Sequence, residues 1–329
     1  MSLGVSYLAY LVRNWREMVP EQLARFQRSG LYDAAGTIWI SCNDPDGKQL
    51  PEFKEILSKW PKAELKAVEP NGYEFPGINL AQELARAGHE KVLYWHTKGI
   101  VNVYHDTATG KDWEPKVTGK RDWRLFMEHF MVDRWQDCVK ALDDHDVVAA
   151  FYHHGDNWPW GNFWWTRADH ILRGQVGRAD RWYYEAFIAQ RCGAPRMFEF
   201  WHPDFELGAS DIPPWLYDRS RDLSNETFSV HRAEYGTYDL QVNENTAAPQ
   251  PPCVPLDTTE FVRANALCDN GRRLRLPPVH AGMFESDPHP GAQKMITVWW
   301  SLASETDKIH RSRAVDGWPL NISLDDIPN

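Results

Sequence analysis

The chain has 329 residues, with 36 Lys and Arg against 46 Asp and Glu for a formal charge of −10, and it is 43% hydrophobic and 25% charged. Those proportions belong to a folded globular protein and exclude disorder, collagen and coiled coil as overall descriptions. The acidic balance argues against a broad basic surface for nucleic acid and leaves room for one small basic pocket for a phosphorylated small molecule.

In chain order, the apolar opening up to Val12 has no basic leader and is too short to span a bilayer, so Val5 to Val12 reads as a buried first strand. A helix follows with Val19, Leu23 and Phe26 at apolar positions and Gly30 near its end. Thr37 to Cys42 is a second strand running into the turn Asn43 to Gly47, and a short helix carries Phe53, Ile56, Leu57 and Trp60. Ala63 to Val68, a turn over Asn71 to Gly77, a helix over Ile78 to Ala87 and the strand Lys91 to His96 complete the first half of the pattern. Strands alternating with helices of about ten residues imply crossover units and a largely parallel sheet. Gly99 to Lys120 is polar and aperiodic and reads as a surface loop of the length used for lids. Arg121 to Asp144 reads as one long helix with a core stripe from Trp123 to Leu142, and Asp146 to Tyr152 as another strand. Helices are expected near Arg167 to Leu172 and over Asp180 to Cys192. Beyond Asp204 the alternation dissolves, a Pro-rich connector covers Thr246 to Pro255, and only Met295 to Trp300 is clearly strand-like. The expectation is therefore an α/β domain over 1–204 with an irregular C-terminal extension over 205–329.

Five cysteines (Cys42, Cys138, Cys192, Cys253, Cys268) show neither metal-ligand nor redox spacing and fit a reducing cytoplasm. Aromatic residues are abundant, with 17 Trp, 12 Tyr and 14 Phe. They suit a large core, and alternatively the stacking of ring faces on sugars.

In an open parallel sheet, ligands bind outside the carboxyl ends of the strands. The residues just after each strand are Asn43, Asp44 and Asp46; Asn71 and Asn79; His96 and Lys98; His153, His154 and Asp156; and Asn162. In its order of segments the chain resembles the nucleotide-diphospho-sugar transferase (GT-A) superfamily, and within it the family-2-like inverting glycosyltransferases. The resemblance covers roughly residues 4 to 200. Ser41-Cys-Asn-Asp-Pro-Asp-Gly47 stands where that family contacts the nucleobase and ribose, which implies Asp44 as a base contact. Asn71-Gly-Tyr-Glu-Phe-Pro-Gly-Ile-Asn79 resembles the family's Gly-rich stretch leading to an Asn in the donor site, here Asn79. Gly161-Asn-Phe-Trp-Trp165 through the helix carrying Glu185 resembles its acceptor region, which implies Asn162, Trp164 and Trp165 as acceptor contacts. His96-Thr-Lys-Gly99 and Gly161-Asn-Phe-Trp-Trp165 are also similar to a subgroup of bacterial and viral glycosyltransferases.

One departure bears on mechanism. The family's fourth strand ends in Asp-x-Asp, which holds a divalent cation on the donor diphosphate, whereas here it ends in His96-Thr97-Lys98. A fixed ammonium can neutralise the leaving diphosphate directly. Lys98, helped by His96 and a lid residue such as Lys111, Lys116 or Lys120, is therefore expected to replace the metal, with Mn or Mg the less favoured alternative. An inverting transferase also needs a general base for the acceptor hydroxyl. Glu185 is the first candidate and Asp156, beside His153 and His154, the second.

The resulting expectation is a cytoplasmic glycosyltransferase with no membrane-spanning segment, moving a sugar from a nucleotide-diphosphate donor to a glycan hydroxyl. Polysaccharide or surface-glycan assembly is the context the resemblance implies. The alternatives are a non-catalytic carbohydrate-binding protein on a transferase-like fold, and a glycoside hydrolase with two facing carboxylates.

Overall fold

The computed structural model describes residues 2–97, 115–153, 158–201, 205, 210–218, 221–237, 255–280, 283–284, 294–315 and 317–325. The chain divides into two compact units, one of 1–113 with 124–202 and the other of 114–123 with 203–329.

In the first unit, β1 (Leu3–Tyr10), β2 (Thr37–Asn43), β3 (Ala63–Glu69) and β4 (Lys91–His96) are parallel. They are linked through α1 (Trp15–Arg28), the short α2 (Leu31–Ala34), α3 (Leu50–Leu57) and α4 (Phe75–Arg86). β5 (Val147–Ala149), a two-residue pair β6 (Tyr152–His153) and β7 (Trp158–Pro159), β8 (Trp164–Arg167) and β9 (Met197–Glu199) follow. The main sheet has the order β3-β2-β1-β4-β8-β5-β9, with β8 antiparallel to both neighbours. The mostly parallel sheet flanked by helices is the expected class. The order turns back at β1, so the crevice between the carboxyl ends of β1 and β4 is its switch point.

Alternate residues of the central strands pack on opposite faces. Tyr94 meets Trp164 with ring centroids 5.1 Å apart on one face, while Trp95 meets Phe26 at 5.7 Å on the other. Trp165 belongs to that second face, where its Nε1 donates to the Met131 carbonyl at 2.8 Å. α4 lies against the first face, and Gly77 lets it come close, because a Cβ there would sit 2.6 Å from Tyr94 Cε2.

Several boundaries differ from the sequence pattern. A helix, α5 (Pro115–Glu128), already begins within the expected loop. The single long helix expected over Arg121 to Asp144 is α5, a π-helical turn over His129–Asp133, and α6 (Trp135–Ala141), broken at Arg134. The π turn inserts one residue and directs Asp133 back to Arg25, with contacts of 2.5–3.1 Å. α7 (Ala168–Ile171) is short, and the last expected helix is α8 (Arg181–Ala186) followed by a π turn over Phe187–Arg191.

The second unit corrects the expectation of an irregular extension. β10 (Phe228–Thr237), β11 (Leu256–Asp257), β14 (Lys294–Leu302) and β15 (His310–Val315) form an antiparallel sheet in the order β11-β10-β14-β15. β12 (Leu267–Cys268), β13 (Arg273–Leu276) and β16 (Leu320–Ser323) form another, with α9 (Thr259–Asn265) preceding it. Trp300 anchors the core of the larger sheet, edge-on to Phe228 and Trp215. A β-bulge between Val230 and Arg232 breaks the alternation that would mark β10 in the sequence.

Among the described residues no helix is long and apolar enough to cross a membrane. Cys42, Cys138, Cys192 and Cys268 are free thiols, and burial pushes Cys42 and Cys192 up to about 12.

Candidate functional site

The carboxyl ends of the parallel strands are tied to one another by side chains. Thr97 Oγ1 accepts the Tyr10 amide at 2.9 Å, joining the ends of β4 and β1. Asn43, the last residue of β2, accepts the Gly72 amide at 2.9 Å and donates to the Tyr73 carbonyl at 2.7 Å. Those two bonds set the loop after β3, in which Tyr73 takes a left-handed φ of 48°. The loop delivers Glu74 to the N-cap position of α4, yet its side chain caps nothing.

Glu74 instead enters a buried cluster. One carboxylate oxygen accepts from Asn162 Nδ2, and the other lies 3.4 Å from His96 Nε2. His96 is 7% exposed at the end of β4. Its Nε2 also lies 3.1 Å from the Gly161 carbonyl, and its ring stacks on Tyr94 and stands edge-on to Phe163. Gly161 and Asn162 both have positive φ, 87° and 56°, in a tight turn that suits these two residue types. The turn buries Asn162 completely. There its Nδ2 also reaches the Tyr184 carbonyl at 3.2 Å, and its Oδ1 accepts from Trp164 Nε1 at 2.7 Å. Glu185, the next residue on α8, is 6% exposed.

Tyr94 lies beneath this cluster. Its hydroxyl is buried without a hydrogen-bond partner among the described residues. Burial pushes it well above the ordinary tyrosine value, and the charges of Glu74 and Glu185 push the same way. A buried phenol thus lies against an imidazole at the carboxyl end of β4.

The expected residues fare differently. His96 and Asn162 belong to this cluster, and Glu185 is the buried residue next to Tyr184, whose carbonyl Asn162 reaches. Asp44 is 4% exposed, and its Oδ2 accepts the Gln49 and Leu50 amides at 3.0 and 3.1 Å, capping α3. Its Oδ1 is buried with no partner among the described residues. Asn79 is drawn away from the cluster, donating to Glu83 Oε1 at 2.7 Å one turn along α4. Trp164 and Trp165 must be corrected. Both are 0% exposed, because β8 lies inside the sheet and is covered on both faces, so neither offers a ring to a saccharide. Asn162 is likewise an internal clamp, with no surface for an acceptor. Lys98, Lys111, His154 and Asp156 lie outside the described residues, as do the side chains of His153, Lys116 and Lys120.

Neither Glu74, inside the stretch Asn71 to Asn79, nor Tyr94 is singled out by a sequence signal. Glu74 stands just ahead of Phe75-Pro76, where an acidic residue ordinarily caps a helix, and only the fold turns it towards His96. Among the described residues no group of three or more His, Cys, Asp or Glu gathers to hold a metal ion.

No protein-family model matches the chain, and no curated protein matches it either. Among solved structures it is similar to the "putative nucleotide-diphospho-sugar transferase" of Desulfovibrio desulfuricans G20, at 11% identity and a TM-score of 0.35. That match covers 68% of this chain and 90% of the other. A likeness at this level establishes neither a shared fold nor a shared activity.

Proposed function

We propose that the chain is an inverting glycosyltransferase acting on a nucleotide-diphosphate sugar at the β1/β4 switch point. The observation that carries this reading is the buried cluster of His96, Glu74 and Asn162 at the carboxyl end of β4, beside the switch-point crevice. In the reaction, an acceptor hydroxyl oxygen attacks the anomeric carbon from the face opposite the diphosphate. The bond from that carbon to the diphosphate oxygen breaks, and its electron pair leaves with the nucleoside diphosphate. The hydroxyl proton passes to Glu185, and a carboxylate placed for this contributes about 10²–10⁴-fold. Asp156 is the second candidate for that proton. Lys98 supplies positive charge to the leaving diphosphate, so that no divalent cation is required. Asp44 Oδ1, without a partner among the described residues, is an acceptor suited to a nucleobase N–H.

The test is a thermal-shift panel of UDP, GDP, dTDP, CDP and CMP, each with manganese or with a chelator. A nucleotide at 100 times its Kd stabilises by about 2.7 kcal/mol. One nucleoside diphosphate is expected to stabilise equally in both conditions. Asp44→Asn keeps an oxygen for the α3 amides and is expected to lose that nucleotide with little change in intrinsic stability, whereas Asp44→Ala also costs about 1 kcal/mol as a lost cap. Failure of every nucleotide to bind refutes the proposal, and strict manganese dependence refutes the role of Lys98. Nucleotide binding without donor turnover, across a panel of nucleotide sugars and glycans, marks the non-catalytic carbohydrate-binding alternative.

A further inference from the structure

We infer that Glu74 is a positioning residue that holds His96 in its protonated form, making the imidazolium a fixed positive charge at the carboxyl end of β4. This rests on the donor reading above and gives that site a second cation, one built entirely from the described residues. The geometry is specific. Glu74 has one oxygen bound by Asn162 and the other 3.4 Å from His96 Nε2, so the carboxylate cannot swing away without breaking the clamp. Asn162 is itself held by Trp164 and by the Tyr184 carbonyl. The ring of His96 is fixed on both sides, by Tyr94 at 5.7 Å and Phe163 at 5.0 Å.

Among the described residues, the groups that bear on the ring's charge can be named element by element. Burial alone favours the neutral ring. The Glu74 carboxylate in contact opposes this. The Tyr94 hydroxyl is uncharged at neutral pH. On the α1 side, Gln22 Nε2 donates to the His96 carbonyl at 3.1 Å and to Glu128 at 2.7 Å. Glu128 is in turn neutralised by Arg124 at 2.9 Å and Arg25 at 3.2 Å, so that side contributes little net charge. Lys98, two residues along the chain, lies outside the described residues. The Glu74 carboxylate in contact, against desolvation and a balanced network on the α1 side, favours the imidazolium. An imidazolium there stabilises the diphosphate as it departs, and its proton stays on the ring.

The experiment uses the full chain, the variants Glu74→Gln and Glu74→Asp, and UDP, GDP, dTDP and CDP as probes. Nitrogen-15 NMR titration follows His96, assigned by its loss in His96→Asn, while calorimetry measures nucleotide affinity at pH 6 and pH 8. Glu74→Gln preserves the Asn162 contact and removes the charge, so the His96 pKa is expected to fall by at least about one unit. Glu74→Asp, with its charge withdrawn by one methylene, is expected to give an intermediate value, which loss of packing alone would not. Affinity for the bound nucleoside diphosphate is expected to fall several-fold from pH 6 to pH 8 in the parent protein, and to lose that dependence in His96→Asn. An unchanged His96 pKa in Glu74→Gln overturns the pairing. A lowered pKa with pH-independent affinity in the parent overturns the role of the charge. If no nucleotide binds the parent, the donor reading fails, while the titration still decides whether Glu74 sets the protonation of His96.

Discussion

Replacing Gly77 with Ala sets two opposing effects against each other. In an ordinary helix the change stabilises by up to about 1 kcal/mol, through the lower entropy of Ala in the unfolded chain. At this position the new methyl would lie 2.6 Å from Tyr94 Cε2 and 2.9 Å from Leu8 Cβ. Neither neighbour is the loose end of a flexible side chain. Tyr94 is fully buried against Trp164, and Leu8 is held in β1 between β2 and β4. α4 cannot retreat cheaply either, because the Gly77 carbonyl accepts from Ser6 Oγ at 2.6 Å. Overpacking of this kind costs about 1–3 kcal/mol. The clash therefore outweighs the propensity gain, and Gly77→Ala is expected to be net destabilising by about 1–2 kcal/mol. In urea unfolding followed by far-UV circular dichroism, with m of about 2–3 kcal/mol/M, the midpoint should fall by about 0.5 M at unchanged slope. Because the displaced ring stacks on His96, nucleotide affinity should fall as well, under conditions where the variant is folded. A variant as stable as its parent, or more so, would show that α4 is not seated on Tyr94 and would undo the account of the site built on that contact.

Asp122, in the second unit, is pushed up to about 6 by burial, against the Ile212 amide at 3.2 Å and with Asp211 adding to the rise. A raised carboxyl pKa in the folded state means stability that is fully present below the ordinary carboxylate range and lost as pH climbs towards 6. Asp122→Asn should therefore be more thermostable than its parent at pH 7, and the difference should vanish near pH 4. Parallel melting-temperature profiles from pH 4 to 7 would contradict this. At Asn162, Ala and Gly both remove the bonds to Glu74, Trp164 and Tyr184, but only Gly accepts the φ of 56° without strain. Both variants should be destabilised, each buried group left unsatisfied costing about 1–3 kcal/mol, with Asn162→Ala the worse by about 1 kcal/mol in urea midpoints. Equal midpoints would place the left-handed turn in doubt.

Much of the first unit is legible in the residues because its signals are local. Apolar runs such as Val92-Leu93-Tyr94-Trp95 read as strands buried on both faces, and the repeats of period 3.6 between them read as crossover helices. The carboxyl ends of those strands follow from chain direction alone, which is why His96 could be named from the sequence. Locality also explains the errors. Trp164 and Trp165 follow a Gly-Asn turn and look like a loop rich in indoles. Only pairing with β4 on one side and β5 on the other makes them an internal strand, each ring covered by a different face of the sheet. In the second unit, strands that pair across long separations and carry a bulge leave no clean alternation to read.

By itself, the order of residues determined which segments alternate, where the parallel strands end, and that an imidazole stands at the end of β4. The tertiary structure alone decided which side chains surround that imidazole. Glu74 and Asn162 lie 22 and 66 positions from His96, and no periodicity links them. They meet because α4, the turn before β8, and α8 converge on one face of the sheet, and a hydrogen bond such as Asn162 to Glu74 exists only once that convergence has been made.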